Sequence, residues 1–168
     1  MYEIAKIIPL DIIQDVLDYG DTAYQYRTGV TTKGKNTYDP SMRKTTGVRI
    51  DPKLFPEIGD IIEARIDDGT MVNQFDFLIY NQGDYFKRHR DTFREEHLKY
   101  HRIWTTVTLL DKTDDLRGGA LQVGDSEPIN LQVGETIIFK SNINHEAQKV
   151  ELGTRKVLVA WLGMYKYS

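Results

Sequence analysis

No cysteine occurs among the 168 residues. Disulfides, zinc–thiolate sites, iron–sulfur clusters and cysteine nucleophiles are thereby excluded. The fold has to stand on its hydrophobic core alone. Long apolar runs are missing too, and none approaches the roughly 20 residues needed to cross a bilayer. The opening stretch MYEIAKIIPLDII lacks the basic-then-apolar-then-small pattern of a signal peptide, and Asp11 interrupts it. The expected compartment is the cytoplasm, with no membrane partner. Neither sign of charge is in excess: 22 Lys and Arg stand against 25 Asp and Glu, a net charge of −3. That balance argues against a protein whose main task is coating nucleic acid or anionic lipid. Nothing in the sequence signals an oligomeric state.

What is present reads as one globular domain spanning 1–168, without repeats, low-complexity tracts or linkers. Two helices are expected early, within about 10–70. PLDIIQDVLDY carries Leu10, Ile13, Val16 and Leu17 on one stripe beside a proline. FPEIGDIIEARIDDG puts Ile58, Ile61, Ile62 and Ile66 on one face, with Pro56 in the first turn and Gly69 at the exit. Between them YQYRTGVTTKGKNTYDP has no period and reads as a mobile loop or hairpin. From Thr45 onward TTGVRI, FDFLIY, IWTTVTLL, GALQV, ETIIFK and RKVLVAWLG are β-branched and aromatic runs separated by Gly, Asp and Asn. Helices first and strands afterwards indicate an α+β fold with an antiparallel sandwich or barrel, whose core spans about 75–165.

The stretch YFKRHRDTF places His89 and Asp91 two apart, so that in an extended segment both aim at one point while Arg88 and Arg90 face away. An imidazole and a carboxylate make two legs of a site for a divalent ion that accepts nitrogen and oxygen. By itself such a pair is as ordinary as any charged surface run. His145, in FKSNINHEAQKV just after a strand, is the candidate third ligand. Two histidines and one carboxylate form a facial triad that leaves three coordination positions open. His97 and His101 in HLKYH are four apart and would share a helix face as a zinc pair, but with no third ligand nearby a polar helical turn is the simpler reading. Arg155 opens the strand RKVLVAWLG and offers a two-pronged fork for a carboxylate. Lys156 should point to the opposite face.

Taken in order, YNQGDYFKRHRDTF, WTTVTLLDKTDDLRGGALQV, VGETIIFKSNINHEAQKV and GTRKVLVAW resemble the prolyl 4-hydroxylase-like branch of the 2-oxoglutarate- and Fe(II)-dependent dioxygenases. The likeness covers about residues 75–163 and extends faintly to SMRKTTGVRI. No single motif is specific, whereas the ordered set is. The resemblance implies a double-stranded β-helix, a jelly roll of the cupin-like kind, braced by the N-terminal helices. It implies Fe(II) on His89, Asp91 and His145, 2-oxoglutarate as co-substrate with its 5-carboxylate on Arg155 and Tyr80, O2, and ascorbate as reductant. Thr106 or Thr108 would add a hydroxyl at the co-substrate. For the substrate, it implies that Arg43 grips a peptide backbone and that Tyr24, Tyr26 and Tyr38 stack on a proline ring. The expected activity is hydroxylation of a prolyl residue in a peptide or protein, with 2-oxoglutarate converted to succinate. The alternatives are a hydroxylase of a free amino acid or other small molecule, and a catalytically silent metal-binding module. A nucleic-acid demethylase is disfavoured, because Trp161 stands where that branch carries a second arginine. So compact a form would suit a microbe or a virus.

Overall fold

The structure, a computed structural model, describes residues 1–32, 35–92 and 100–165. A seven-stranded antiparallel sheet dominates it. Its strand order is Tyr2–Ala5, Thr136–Lys140, Tyr100–Lys112, Arg155–Tyr165, Met71–Tyr80, Thr46–Ile50 and Tyr26–Arg27. A four-stranded sheet of Leu121–Val123, His145–Ala147, Tyr85–His89 and Arg43–Lys44 faces it. This is the expected double-stranded β-helix.

The large sheet is buried on both faces, and period-two alternation sorts its side chains. On Met71–Tyr80, Phe75, Phe77 and Ile79 pack towards the helices, while Leu78 and Tyr80 pack between the sheets. On Arg155–Tyr165, Leu158, Ala160 and Leu162 take the helix side, and Val157, Val159 and Trp161 the inner side. Two hydrophobic cores thus share one sheet.

Helix α1 (Leu10–Thr22) follows Pro9 and buries Ile13, Val16, Leu17 and Gly20. A Cβ on Gly20 would lie 2.5 Å from a ring carbon of Phe77, so only glycine lets the helix approach this closely. Leu10, expected on the buried stripe, is 67% exposed. Helix α2 (Pro56–Ile66) starts on its proline and seats Ile58 and Ile62 in the same core. Asp67 takes the left-handed cap conformation at φ 53° and donates its amide to the Glu63 carbonyl, two residues before the expected exit at Gly69.

Helices do not simply precede strands. Tyr2–Ala5 forms an edge of the large sheet before α1 begins, and Tyr26–Arg27 and Thr46–Ile50 close its other edge. The aperiodic segment contains a hairpin of Val30–Thr32 and Lys35–Thr37. Among the described residues no helix is long and apolar enough to cross a membrane.

Candidate active site

Cross-strand pairing assembles the site from distant parts of the chain. His89 stands opposite His145, Tyr80 opposite Arg155, Thr105 opposite Trp161, and Arg43 opposite Phe86. Directly opposed side chains are about 4.5–5.5 Å apart at Cβ. Register therefore does most of the positioning.

His89 ends its strand and His145 begins the neighbouring one. Asp91 lies two residues beyond His89 and is fixed by its own amide, which donates to the Ser141 carbonyl at 2.9 Å. His89 Nε2 lies 3.3 Å from Asp91 Oδ1, and His145 Nε2 lies 3.3 Å from Asp91 Oδ2. Each Nδ1 is turned to a backbone carbonyl, Lys87 at 2.7 Å and Ile143 at 2.9 Å. Donation to those carbonyls leaves both Nε2 atoms as lone-pair ligands aimed at one point. Phe86 stacks on the His89 ring at 3.5 Å, and Phe139 meets His145 edge-on at 4.8 Å. An ion with bonds of about 2.1 Å holds adjacent ligands about 3 Å apart, close to what is found here. Among the described residues these three are the one group able to hold a metal, with all ligand atoms within 4.8 Å. The donor set suits Fe(II).

Burial pushes His89 below the ordinary histidine value. Burial acts the same way on His145, but Asp91 outweighs it and holds that imidazole above the ordinary value. Burial alone would raise Asp91, yet the imidazoles facing it, His145 first, hold its carboxyl well below the usual range. A metal must displace the proton from His145, since only neutral imidazole binds. Metal affinity is therefore expected to fall as pH drops through the raised pKa of His145, with about one proton released per ion. Calorimetric titration in buffers of different ionisation enthalpy measures that release. A pH-independent affinity between 8 and 6 would contradict it.

Two groups hold Asp91, of which the sequence pointed to Trp161 only as a barrel-lining residue and to Thr105 not at all. Thr105 Oγ1 donates to Oδ2 at 2.8 Å, and Trp161 Nε1 donates to the same oxygen at 3.0 Å. Thr105 is backed by the Ser141 hydroxyl at 2.9 Å. Thr106 and Thr108 lie on the other face, bonded to the Ala160 carbonyl and the Thr136 hydroxyl, so neither is the expected site hydroxyl. Thr105→Val should weaken metal binding by about 10–100-fold, the usual cost of losing an outer-shell partner. Thr105→Ser should restore it. Equal affinity in all three proteins would remove Thr105 from this role.

Past the triad runs an inner cavity of about 50 Å³ between the sheets, walled by Leu78, Val107, Leu121, Val157 and Val159. Arg155 and Tyr80 line it as well. Arg155 is 6% exposed, its guanidinium carbon lies 4.2 Å over the Tyr80 ring, and its Nε has no hydrogen-bond partner. Burial pushes its pKa down, yet a guanidinium stays charged in a protein. A buried cation unpaired among the described residues, lining a cavity, fits the distal carboxylate of a dicarboxylic co-substrate. Lys156 points away, to Asp21 at 2.8 Å.

Gly118 and Gly119 cross behind Arg155 at φ 71° and 70°, and a Cβ on Gly119 would lie 3.1 Å from Arg155 Nε. Gly119→Ala should cost about 1–2 kcal/mol of stability from the left-handed backbone and raise the co-substrate requirement by displacing Arg155. A thermal melt and a saturation curve check both effects.

On the other side the triad opens to a cleft of about 400 Å³, lined by Arg43, Arg49, Asp76, Arg90, Arg102 and Trp161 among others. Arg90 thus shares the cleft with His89 instead of facing away. A side cleft of about 270 Å³ continues it past Arg43 and Arg49 to Tyr26. Tyr24 and Tyr38 line neither cleft. Tyr24 packs edge-on against Tyr26 at 4.7 Å, and Tyr38 lies under Arg27 at 4.4 Å. His101 lies exposed on the strand Tyr100–Lys112, where a helical turn had been read, and His97 falls outside the described residues. A larger cleft of about 520 Å³ shares Arg155 in its wall and is lined by none of the triad.

The profile of the 2OG-Fe(II) oxygenase superfamily matches residues 75–163. A sequence search of curated proteins found no match. Among solved structures, the viral collagen prolyl hydroxylase of Paramecium Bursaria Chlorella virus-1, in its 2OG complex, is similar at a TM-score of 0.74 with 16% identity, over 97% of this chain and 96% of that one. A Pseudomonas putida prolyl-4-hydroxylase is similar at 0.71 with 18% identity, over 97% and 92%. A Trichoplax adhaerens prolyl hydroxylase, in complex with a peptide fragment of the hypoxia inducible factor oxygen degradation domain, is similar at 0.67 with 14% identity, over 96% and 83%.

Proposed function

Since the chain belongs to the 2OG-Fe(II) oxygenase superfamily, we propose that it hydroxylates a prolyl residue in a peptide or protein, as a prolyl 4-hydroxylase-like enzyme. The observation that carries this reading is the convergence of His89, Asp91 and His145 between an inner cavity lined by Arg155 and an outer cleft that continues past Arg43 and Arg49 to Tyr26. The likeness to prolyl hydroxylases supports the substrate class by fold only.

His89, Asp91 and His145 hold Fe(II) through Nε2, a carboxylate oxygen and Nε2. Iron held there would let O2 serve as the oxidant, one oxygen atom entering succinate as 2-oxoglutarate loses CO2 and the other entering a substrate C–H. Arg155 pairs with the 5-carboxylate, and the Tyr80 hydroxyl joins it. The aliphatic walls of the inner cavity keep water out, which strengthens the Arg155 pairing and protects the reaction from side paths. Thr105 and Trp161 keep the Asp91 carboxylate from rotating. Arg43 and Tyr26 line the path of the substrate. Tyr24 and Tyr38 touch it only as a peptide leaves the cleft. Ascorbate is the proposed reductant that keeps the metal ferrous.

Incubation with Fe(II), 2-oxoglutarate, ascorbate and proline-containing peptides, followed by mass spectrometry, tests the proposal. A gain of one oxygen on a proline is expected. Iron-dependent succinate with no oxygen gained by any peptide, but with oxygen gained by free proline, would move the activity to small molecules.

A further inference from the structure

The charge balance of the inner cavity calls for a second anion besides the co-substrate. This inference rests on the proposed oxygenase reading and deepens it. Two arginines line the cavity together with the triad, Arg43 and Arg155. Arg43 is 9% exposed, nearly as buried as Arg155. Its guanidinium lies 4.3 Å over the Phe86 ring, and Nη1 donates to the Gly29 carbonyl at 3.1 Å. Its Nε, like that of Arg155, is buried without an acceptor. Among the described residues no carboxylate pairs with either guanidinium. Two buried cations without counter-ions are costly to hold.

In the loaded site, Fe(II) and Asp91 together carry one positive charge, and the imidazoles carry none. Arg155 and Arg43 bring the total to three. The two carboxylates of 2-oxoglutarate remove two, at the metal and at Arg155. One positive charge remains, at Arg43. Among the described residues no other carboxylate of the outer cleft pairs with it. Asp76 is taken by Arg49 at 3.1 Å, and Asp39 accepts from the amide and hydroxyl of Ser41. Arg90 adds a further cation whose partner, the Asn144 side-chain oxygen at 3.3 Å, is uncharged. All this sits in a protein of net charge −3, so the positive mouth is local.

We propose that the substrate carries a carboxylate that pairs with Arg43 beside the metal. Two sources share that chemistry: an acidic side chain next to the hydroxylated residue of a peptide, and the α-carboxylate of a free amino acid. A neutral backbone carbonyl would satisfy Nε but leave the charge unbalanced, and this difference is measurable.

The experiment compares matched acid and amide probes on the iron-loaded enzyme with 2-oxoglutarate. One arm pairs capped Ala-Asp-Pro-Ala and Ala-Pro-Asp-Ala with their Asn counterparts. The other pairs free L-proline with L-prolinamide. Binding is read by calorimetry without oxygen, and turnover by oxygen gain. In one of the arms, the acid is expected to exceed its amide by roughly tenfold or more in kcat/KM. In Arg43→Gln that ratio should fall towards one, and Arg43→Lys should keep part of it. Metal-loaded melts establish that each variant is folded. The arm that shows the effect identifies the source. Equal use of acid and amide by the native protein overturns the inference, as does an acid preference that survives Arg43→Gln. No binding of any acid probe also overturns it. Decarboxylation of 2-oxoglutarate without substrate is followed in parallel on the native protein. If any probe gains oxygen, or decarboxylation occurs, in these cases, the oxygenase reading stands without the acidic substrate; if neither is seen, both fall.

Discussion

Replacing His145 with alanine is expected to abolish iron-dependent succinate formation. It should also cut metal affinity by far more than the roughly 10–100-fold that outer-shell changes cost. The imidazole supplies one of three ligand atoms, and no other described side chain can take its place. Its Nδ1 is fixed on the Ile143 carbonyl and its ring is wedged between Phe139 and His89, so Nε2 is already aimed before any ion displaces its proton. The loss is therefore of a preset ligand. The metal-free fold should suffer less, by about 1–3 kcal/mol, because Asp91 keeps its bonds to Thr105 and Trp161 when the His145 partner goes. Metal titration and a metal-free melt separate the two effects. Normal turnover by a folded His145→Ala protein would remove this residue from the site.

Arg155→Ala is expected to raise the 2-oxoglutarate requirement by at least about 30-fold, with metal affinity changed little. Truncating one partner of a buried, hydrogen-bonded charge pair costs roughly 2–5 kcal/mol, and each 1.4 kcal/mol is a factor of ten. Arg155 has no other job in the described structure. Its guanidinium touches the Tyr80 ring, its Nε has no acceptor, and no carboxylate holds it. Stability should even rise slightly when this lone charge is removed, because a buried cation without a partner destabilises the fold. A saturation curve for 2-oxoglutarate beside a metal titration gives the answer. Parallel losses in both would mean that Arg155 supports the metal instead of the co-substrate.

The triad was legible because its geometry is short-range in sequence at one end and motif-ordered at the other. His89 and Asp91 share a turn of extended chain, and His145 follows a strand whose end projects it. Arg155 and Lys156 were separable by alternation alone, and the structure sends one inward and the other to Asp21. Thr105 escaped notice for a physical reason. The strand Tyr100–Lys112 is covered on both faces, so Thr105, Thr106 and Thr108 are all buried, and no polar–apolar alternation marks which face is which. Irregularities in its pairing with Arg155–Tyr165 blur the count further. The cross-strand match of Thr105 with Trp161, both donating to one oxygen, is a register fact that spacing does not reveal.

Arg43 was read as a residue that grips a peptide backbone, and its burial was not foreseen. A two-residue strand beside a loop gives no hint that its arginine turns into the sandwich. The pairing with Phe86 supplies the reason, since the ring offers the guanidinium a flat apolar seat. The N-terminal part of the sequence shows two helices and a loop or hairpin between them, yet it also donates edge strands. Short strands such as Tyr2–Ala5 and Tyr26–Arg27 carry too few residues to show a period. HLKYH illustrates the converse error: histidines four apart suggest a helix, but a long strand recruits His101.

Succinate formation from 2-oxoglutarate by the native protein, with Fe(II) and with the metal removed by a chelator, tests the central claim most directly. Succinate is expected in the presence of Fe(II), none after chelation, recovery on adding iron back, and none at any iron concentration from Asp91→Ala. Succinate that persists without iron, or in Asp91→Ala at the native rate, would contradict it.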